Sequence, residues 1–304
     1  MRILVCLKQV PPIAELRFAG GTSSLARLGV SLETNPFDRR GLALALSLRD
    51  TLGGTVTALS LGPSSARQGL LDALALGCDD AIHLLDDAFA GSDAQATARI
   101  LAAACRRLDG DLVVCGRSST DAGASVVPAL LACLLDRPAL PAVTRLECSE
   151  DGRTLVAVRE TDDGFETVTC RTPALLSAAE RLTKPLNVTA EARAAVEPER
   201  ITVWDRRDLR LPLPDVGTSG SPTHTTVRRQ AAPARHGLSP DPGNDLPAGM
   251  RRLVRSWIDR GILTPGKAGP RVPEMADSPR PGTLWVVLEA GDEGIRPASR
   301  DLLA

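Results

Sequence analysis

The chain has 304 residues, 43% of them apolar, with 36 basic against 37 acidic side chains; it can bury one large core or two modest ones, and no global field steers it to nucleic acid or an anionic membrane. It has no Tyr, four Phe and three Trp, which excludes a row of exposed aromatics on which bases stack. Every apolar run is too short to cross a bilayer, and the first has neither the core of a signal peptide nor a cleavage pattern, so a cytoplasmic location is expected.

That first run is Arg2–Leu7, and similar ones recur at Thr55–Leu61, Ala81–Leu85 and Leu112–Cys115. Continuous apolar runs of this length read as parallel strands buried on both faces. Between them Phe37–Leu52, Ser65–Leu76 and Asp93–Leu108 are rich in Ala and Leu and open on helix-start signals. Pro36 suits the first turn of the first helix, with the Asn35 side chain as its cap; Ser64 or Ser65, after Gly62 and Pro63, is placed to cap the second. Strands alternating with helices predict an α/β fold with a doubly wound, mainly parallel sheet.

After Val126–Leu135 the pattern changes. Val143–Cys148, Leu155–Arg159 and Phe165–Cys170 alternate around Asp151-Gly152 and Asp163-Gly164, which predicts an antiparallel extension at the sheet edge. Residues 215–247 are dense in Pro, Gly, Ser and Thr, so a domain spanning 1–229 is expected, followed by a linker over 230–282. Within the linker, Met250, Leu253, Val254, Trp257 and Ile258 recur at helical spacing among four arginines. They predict a short basic amphipathic helix over about 248–260, suited to a membrane surface, a partner or its own protein. Thr283–Leu288 is a further apolar strand, opening a short segment over 283–304.

Seven cysteines stand singly and three histidines lie far apart, so buried thiols are expected and a metal site is not. Ligands of wound sheets bind beyond the carboxyl ends of the strands. There the loop Gly116-Arg117-Ser118-Ser119-Thr120-Asp121-Ala122-Gly123-Ala124-Ser125 combines glycines, a guanidinium fork and hydroxyls before a helix. It reads as a phosphate cradle in which Gly116→Val would obstruct the ligand; the same composition also fits an ordinary Gly/Ser-rich connection.

Taken in order, Arg2–Pro11, Asn35-Pro36-Phe37-Asp38, Ala73–Asp79 and Gly116-Arg117 followed by Asp121 resemble the beta subunit of electron-transfer flavoproteins over Met1–Arg229. The resemblance implies an electron carrier, not an enzyme, with an adenine nucleotide at Cys6, Asn35, Pro36, Phe37, Asp38, Leu61 and the loop from Gly116 through Val126 and Val127. That nucleotide is AMP or, in the electron-bifurcating branch, a second FAD. Ala88–Thr97, with Asp93 and Thr97, and Gly217–Thr223 resemble the bifurcating branch. The family's usual Gln-Ala-Ile-Asp is replaced here by Ser118-Ser119-Thr120-Asp121. Implied partners are an alpha-type subunit sharing FAD and an acyl-CoA-dehydrogenase-like or other flavin or NADH donor, met through a loop at Thr183–Ala195. The tail, Leu284–Ala290 and Gly294–Ser299, is similar to the start of the alpha subunit, so a fused alpha unit cut short is expected; an edge strand docked on the beta domain is the alternative. Two other functions remain open: an ATP- or AMP-binding enzyme or sensor of the same superfamily, and a scaffold subunit that binds nothing.

Overall fold

The apolar runs of the sequence become the central strands of a sheet covered on both faces. The structure is a computed structural model that describes residues 1–15, 31–224 and 246–261, with two short strands at 290–291 and 294–295. It divides into two units, residues 1–229 and 230–304. In the first, β1 (Arg2–Cys6) leads through the two-residue strands β2 (Gln9–Val10) and β3 (Glu33–Thr34) into α1 (Pro36–Leu52). There follow β4 (Thr55–Leu61), α2 (Arg67–Ala75), β5 (Asp80–Leu84), α3 (Ala94–Leu108), β6 (Leu112–Gly116) and α4 (Val127–Leu135). The chain continues with β7 (Ala139–Cys148), β8 (Thr154–Thr161), β9 (Gly164–Arg171), β10 (Ala174–Ala178), α5 (Ala190–Ala194) and β11 (Ile201–Trp204).

The nine-stranded sheet has the order β11-β5-β4-β1-β6-β10-β7-β8-β9. Strands β11 to β7 in that order are parallel, and β8 and β9 extend the edge antiparallel, as the alternating stretches predict. The pleat sorts each buried strand between two cores. Ile3, Val5, Val56, Ala58, Leu112 and Val114 face α1 and α2. Leu4, Cys6, Leu59, Ile82, Val113 and Cys115 face α3 and α4. Burial on both faces is the reason these strands are mostly apolar on both sides of the pleat.

From β1 the chain winds outward through β4 and β5, then returns to lay β6 on β1's other side. The loops leaving the carboxyl ends of β1 and β6 therefore diverge, and the crevice between them is the topological switch point.

Two features differ from the sequence reading. Strands β10 and β11 are additional; β10 is Ala-Leu-Leu-Ser-Ala, with no β-branched side chain to mark it, and is a strand because β6 and β7 flank it on both sides. Neither Ser64 nor Ser65 caps a helix: Pro63 occupies the cap position of a 3-10 turn, and no side chain bonds there. Residues 215–223, although dense in Pro, Gly, Ser and Thr, pack into the first unit, where Val216 is buried and Ser221 and Thr223 bond to Asp93.

In the second unit, α6 spans Leu246–Asp259 with Val254, Trp257 and Ile258 exposed, and β12 (Ala290–Gly291) pairs antiparallel with β13 (Gly294–Ile295). The strand expected at Thr283–Leu288 lies outside the described residues. No helix among the described residues is long and apolar enough to cross a membrane.

Candidate functional site at the switch point

Asn35 and Asp38, at the start of α1, are buried beneath the crevice at 1% and 6% exposure. Asn35 occupies the helix cap position, yet its side chain makes no cap bond. It turns instead to the loop after β6, donating from Nδ2 to Ser118 O at 2.8 Å and accepting from Thr120 N at 3.4 Å. Its main chain is tied to β1's loop by Asn35 N donating to Lys8 O at 2.9 Å. The capping role expected from sequence is thus replaced by a bridge between loops.

Asp38 spans the switch point. Oδ2 accepts from Lys8 N at 2.8 Å and Oδ1 from Gly116 N at 3.0 Å, so one carboxylate ties the exits of β1 and β6. Burial pushes its carboxyl up to about 7, against the pull of the Asn35 side chain, the two amides and the Lys8 ammonium. Lys8 itself crosses the crevice: Nζ donates to Asp121 Oδ1 at 2.6 Å and to Ser119 Oγ at 3.2 Å. The Asp121 side chain is 1% exposed, so the first half of the cradle is locked from within.

The second half is open. Ala122–Val126 are exposed and lack regular structure, and Gly123 takes φ +63° with free space where a Cβ would stand. Among the described residues, the amides of Ala124, Ser125, Val126 and Val127 donate no hydrogen bond, and Thr120 Oγ1 is buried with no partner. These donors lead into α4, whose first turn has no acidic residue. Such an end attracts anions through free amides and the helix dipole.

The chain matches the electron transfer flavoprotein domain over residues 22–204. The electron transfer flavoprotein subunit beta of Clostridium acetobutylicum is 38% identical over 224 residues, covering 73% of this chain and 85% of that protein. The chain belongs to the electron transfer flavoprotein family. Subunit CarD of the caffeyl-CoA reductase-Etf complex of Acetobacterium woodii is 34% identical over 265 residues, covering 86% of this chain and all of CarD. That span is longer than the 229 residues over which the sequence motifs run. Protein FixA of Azorhizobium caulinodans is 34% identical over 242 residues, 77% of this chain and 85% of FixA.

In this electron transfer flavoprotein chain the fold brings Asn35, Asp38 and the whole loop Gly116–Val127 to one crevice. Pro36 and Phe37 are half-buried beside it. Leu61 closes β4, one strand from β1. Cys6 closes β1 and contacts Cys105 and Cys115; the Cys105 contact lowers its thiol, but the Cys115 contact and burial push it well above the usual range, making it inert. Asp93 and Thr97 stand apart, after β5. Asp93 caps α3 through Gln95 N and Ala96 N at 2.9 Å and holds Thr223 with its other oxygen, so it secures the 215–223 segment.

Two expectations change in kind. Arg117 donates to Glu160 Oε2 of β8 at 2.9 Å, so its fork is engaged by a carboxylate. Gly116 lacks a side chain because of α1: a Cβ there would stand 2.7 Å from Phe37 Cβ and 3.0 Å from Asp38 N. The bare backbone admits the first turn of α1. The sequence assigns no role to the side chains of Lys8 and Glu160, although Lys8 heads the loop after the first strand. Lys8 had a signal, as the charge that ends the first buried run; Glu160 had none.

A cavity of about 580 Å³ opens at the opposite end of the sheet, beside Met1, Asp111, Asp151 and Arg171. Its charges of both signs interleave, and wound sheets take their ligands at the other end.

Proposed function

We propose that this chain is the beta-type, nucleotide-binding subunit of an electron carrier, taking FAD or AMP in the switch-point crevice and working with an alpha-type subunit that shares a flavin. Family membership supports the carrier role, and the names of the relatives, beta subunits and a member of an Etf complex, support the partner. Within the chain the reading is carried by the cradle, where free amides run from Ala124 into α4 beside the orphaned Thr120 hydroxyl. These donors fit a phosphate or diphosphate. Bound FAD supplies redox chemistry through its isoalloxazine, while the protein supplies binding and orientation.

In this reading Asn35, Lys8 and Asp38 hold the loop, the amides from Ala124 to Val127 take the phosphates, and Thr120 donates its hydroxyl. Arg117 leaves Glu160 if it is to reach a phosphate. An acyl-CoA-dehydrogenase-like or other flavin or NADH donor supplies the electrons. The test is to purify the chain with an alpha-type subunit, record the visible spectrum, denature the complex and identify the released molecules by mass spectrometry. Flavin bands with FAD, or FAD and AMP, are expected. A colourless complex that releases no nucleotide overturns the proposal, and one that consumes ATP favours an enzyme.

A further inference from the structure

The geometry points to Asp38 as a positioning residue: by joining Lys8 N and Gly116 N through its two carboxylate oxygens, it sets the cradle for the nucleotide without touching the nucleotide. The inference rests on the nucleotide reading above and assigns what prepares that site. At 6% exposure, with its two oxygens holding amides at 2.8 and 3.0 Å, the carboxylate is turned into the protein and not presented to a ligand. It sits at the third residue of α1, where an acid ordinarily serves its own helix start. Here it is spent across the sheet, on the two strands whose exits define the crevice.

The consequence follows along the chain. Lys8, fixed by its main-chain amide, places Nζ on Asp121 and Ser119; Gly116, fixed by its own, starts the loop that Asn35 grips at Ser118 and Thr120. Loss of either carboxylate bond frees one wall of the cradle. An ionised carboxylate accepts from both amides, whereas a protonated one turns an O–H towards a donor and weakens one of them. The titratable and charged groups around Asp38 are Lys8, the Cys6 thiol of β1, the Cys115 thiol of β6, and Asp121, which is paired with Lys8. On its own helix, Arg39 is engaged with Leu186 O and Asn187, and Arg40 with Pro36 O. With its carboxyl pushed to about 7, Asp38 changes charge near neutral pH, and cradle order is expected to rise with pH through that range.

The decisive variant is Asp38→Asn, which keeps the shape but sets an NH2 against one backbone N–H. Titrating the full chain with FAD and with AMP, we expect binding roughly tenfold weaker than wild type, the loss of one hydrogen bond to a charged group. FAD affinity, whose diphosphate stays ionised, is expected to rise with pH for wild type and to stay flat for the variant. Wild-type affinity and pH profile in Asp38→Asn overturn the inference. If wild type binds neither probe, the nucleotide reading falls, and amide hydrogen exchange still decides the role of Asp38. Lys8 and Gly116 amides are expected to be protected in wild type and selectively exposed in the variant; unchanged protection refutes the staple. Should Asp38→Asn fail to fold, the wild-type protein suffices: protection of those two amides must fall as pH drops through about 7, relative to Val5 and Val114 of the same strands, and equal behaviour of all four refutes it.

Discussion

Replacing Gly116 by Ala tests whether this glycine serves the helix or the ligand. The added Cβ enters the van der Waals shell of Asp38 Oδ1 and stands 2.7 Å from Phe37 Cβ and 3.0 Å from Asp38 N. The carboxylate tip can swing away, but the other two atoms belong to α1's first turn, so the helix start must retreat from β6. Overpacking of this kind costs about 1–3 kcal/mol. The retreat also removes the Gly116 N to Asp38 bond, worth about 1.5–3 kcal/mol for a charged acceptor. The sum, about 2.5–6 kcal/mol, corresponds to a melting temperature lower by roughly 5–24 °C for a domain of this size. Calorimetry of the ligand-free variant measures it, and the double variant Gly116→Ala/Asp38→Asn should lose less than the two single losses added, because they share one bond. A ligand-free melting temperature within about 2 °C of wild type would show that the position tolerates a side chain and that the glycine serves only the ligand.

Asp38 also sets a pH dependence of stability. The folded protein keeps this proton up to about 7 whereas the free carboxyl releases it at 3.8, so stability falls as pH rises through that window, by up to about 4 kcal/mol in all. The difference in melting temperature between wild type and Asp38→Asn should therefore change between pH 5 and pH 7.5, and a constant difference contradicts the assignment. Glu160→Gln releases Arg117 from an exposed pair and is expected to raise FAD or AMP affinity by up to about fivefold; a fall in affinity means that Arg117 is needed where it stands. Among the seven cysteines Cys133 is exposed, Cys148 and Cys170 are half-buried with thiols pushed up by burial, and four are buried. A thiol reagent should label Cys133 first on the native protein, and early labelling at Cys6 would contradict the packed cluster. Removing residues 283–304 should leave the melting of the 1–229 unit nearly unchanged, since they belong to a separate unit; a large loss would show that they complete its sheet.

The sequence by itself determined the wound sheet. Runs such as Ile3–Cys6 and Leu112–Cys115 are apolar at every position because both faces are buried, and that signal is local. The helices between them, and the hairpin turns at Asp151-Gly152 and Asp163-Gly164, were legible for the same reason. What only the tertiary structure decided is how polar side chains are spent. Asn35 is a cap by type and position, and its side chain serves the loop at Ser118 because β6 brings that loop within 2.8 Å. Gly116 reads as an opening for a ligand until α1 is seen to occupy the space. Arg117 reads as a phosphate fork until β8, 43 residues onward, sets Glu160 against it. Strand β10 carries no propensity of its own and exists because two neighbours need a strand between them. Hydrophobic period is written in neighbouring residues and survives in a single sequence. Hydrogen-bond partnership joins residues such as Asp38 and Gly116, 78 positions apart, and is fixed only when the sheet closes between them.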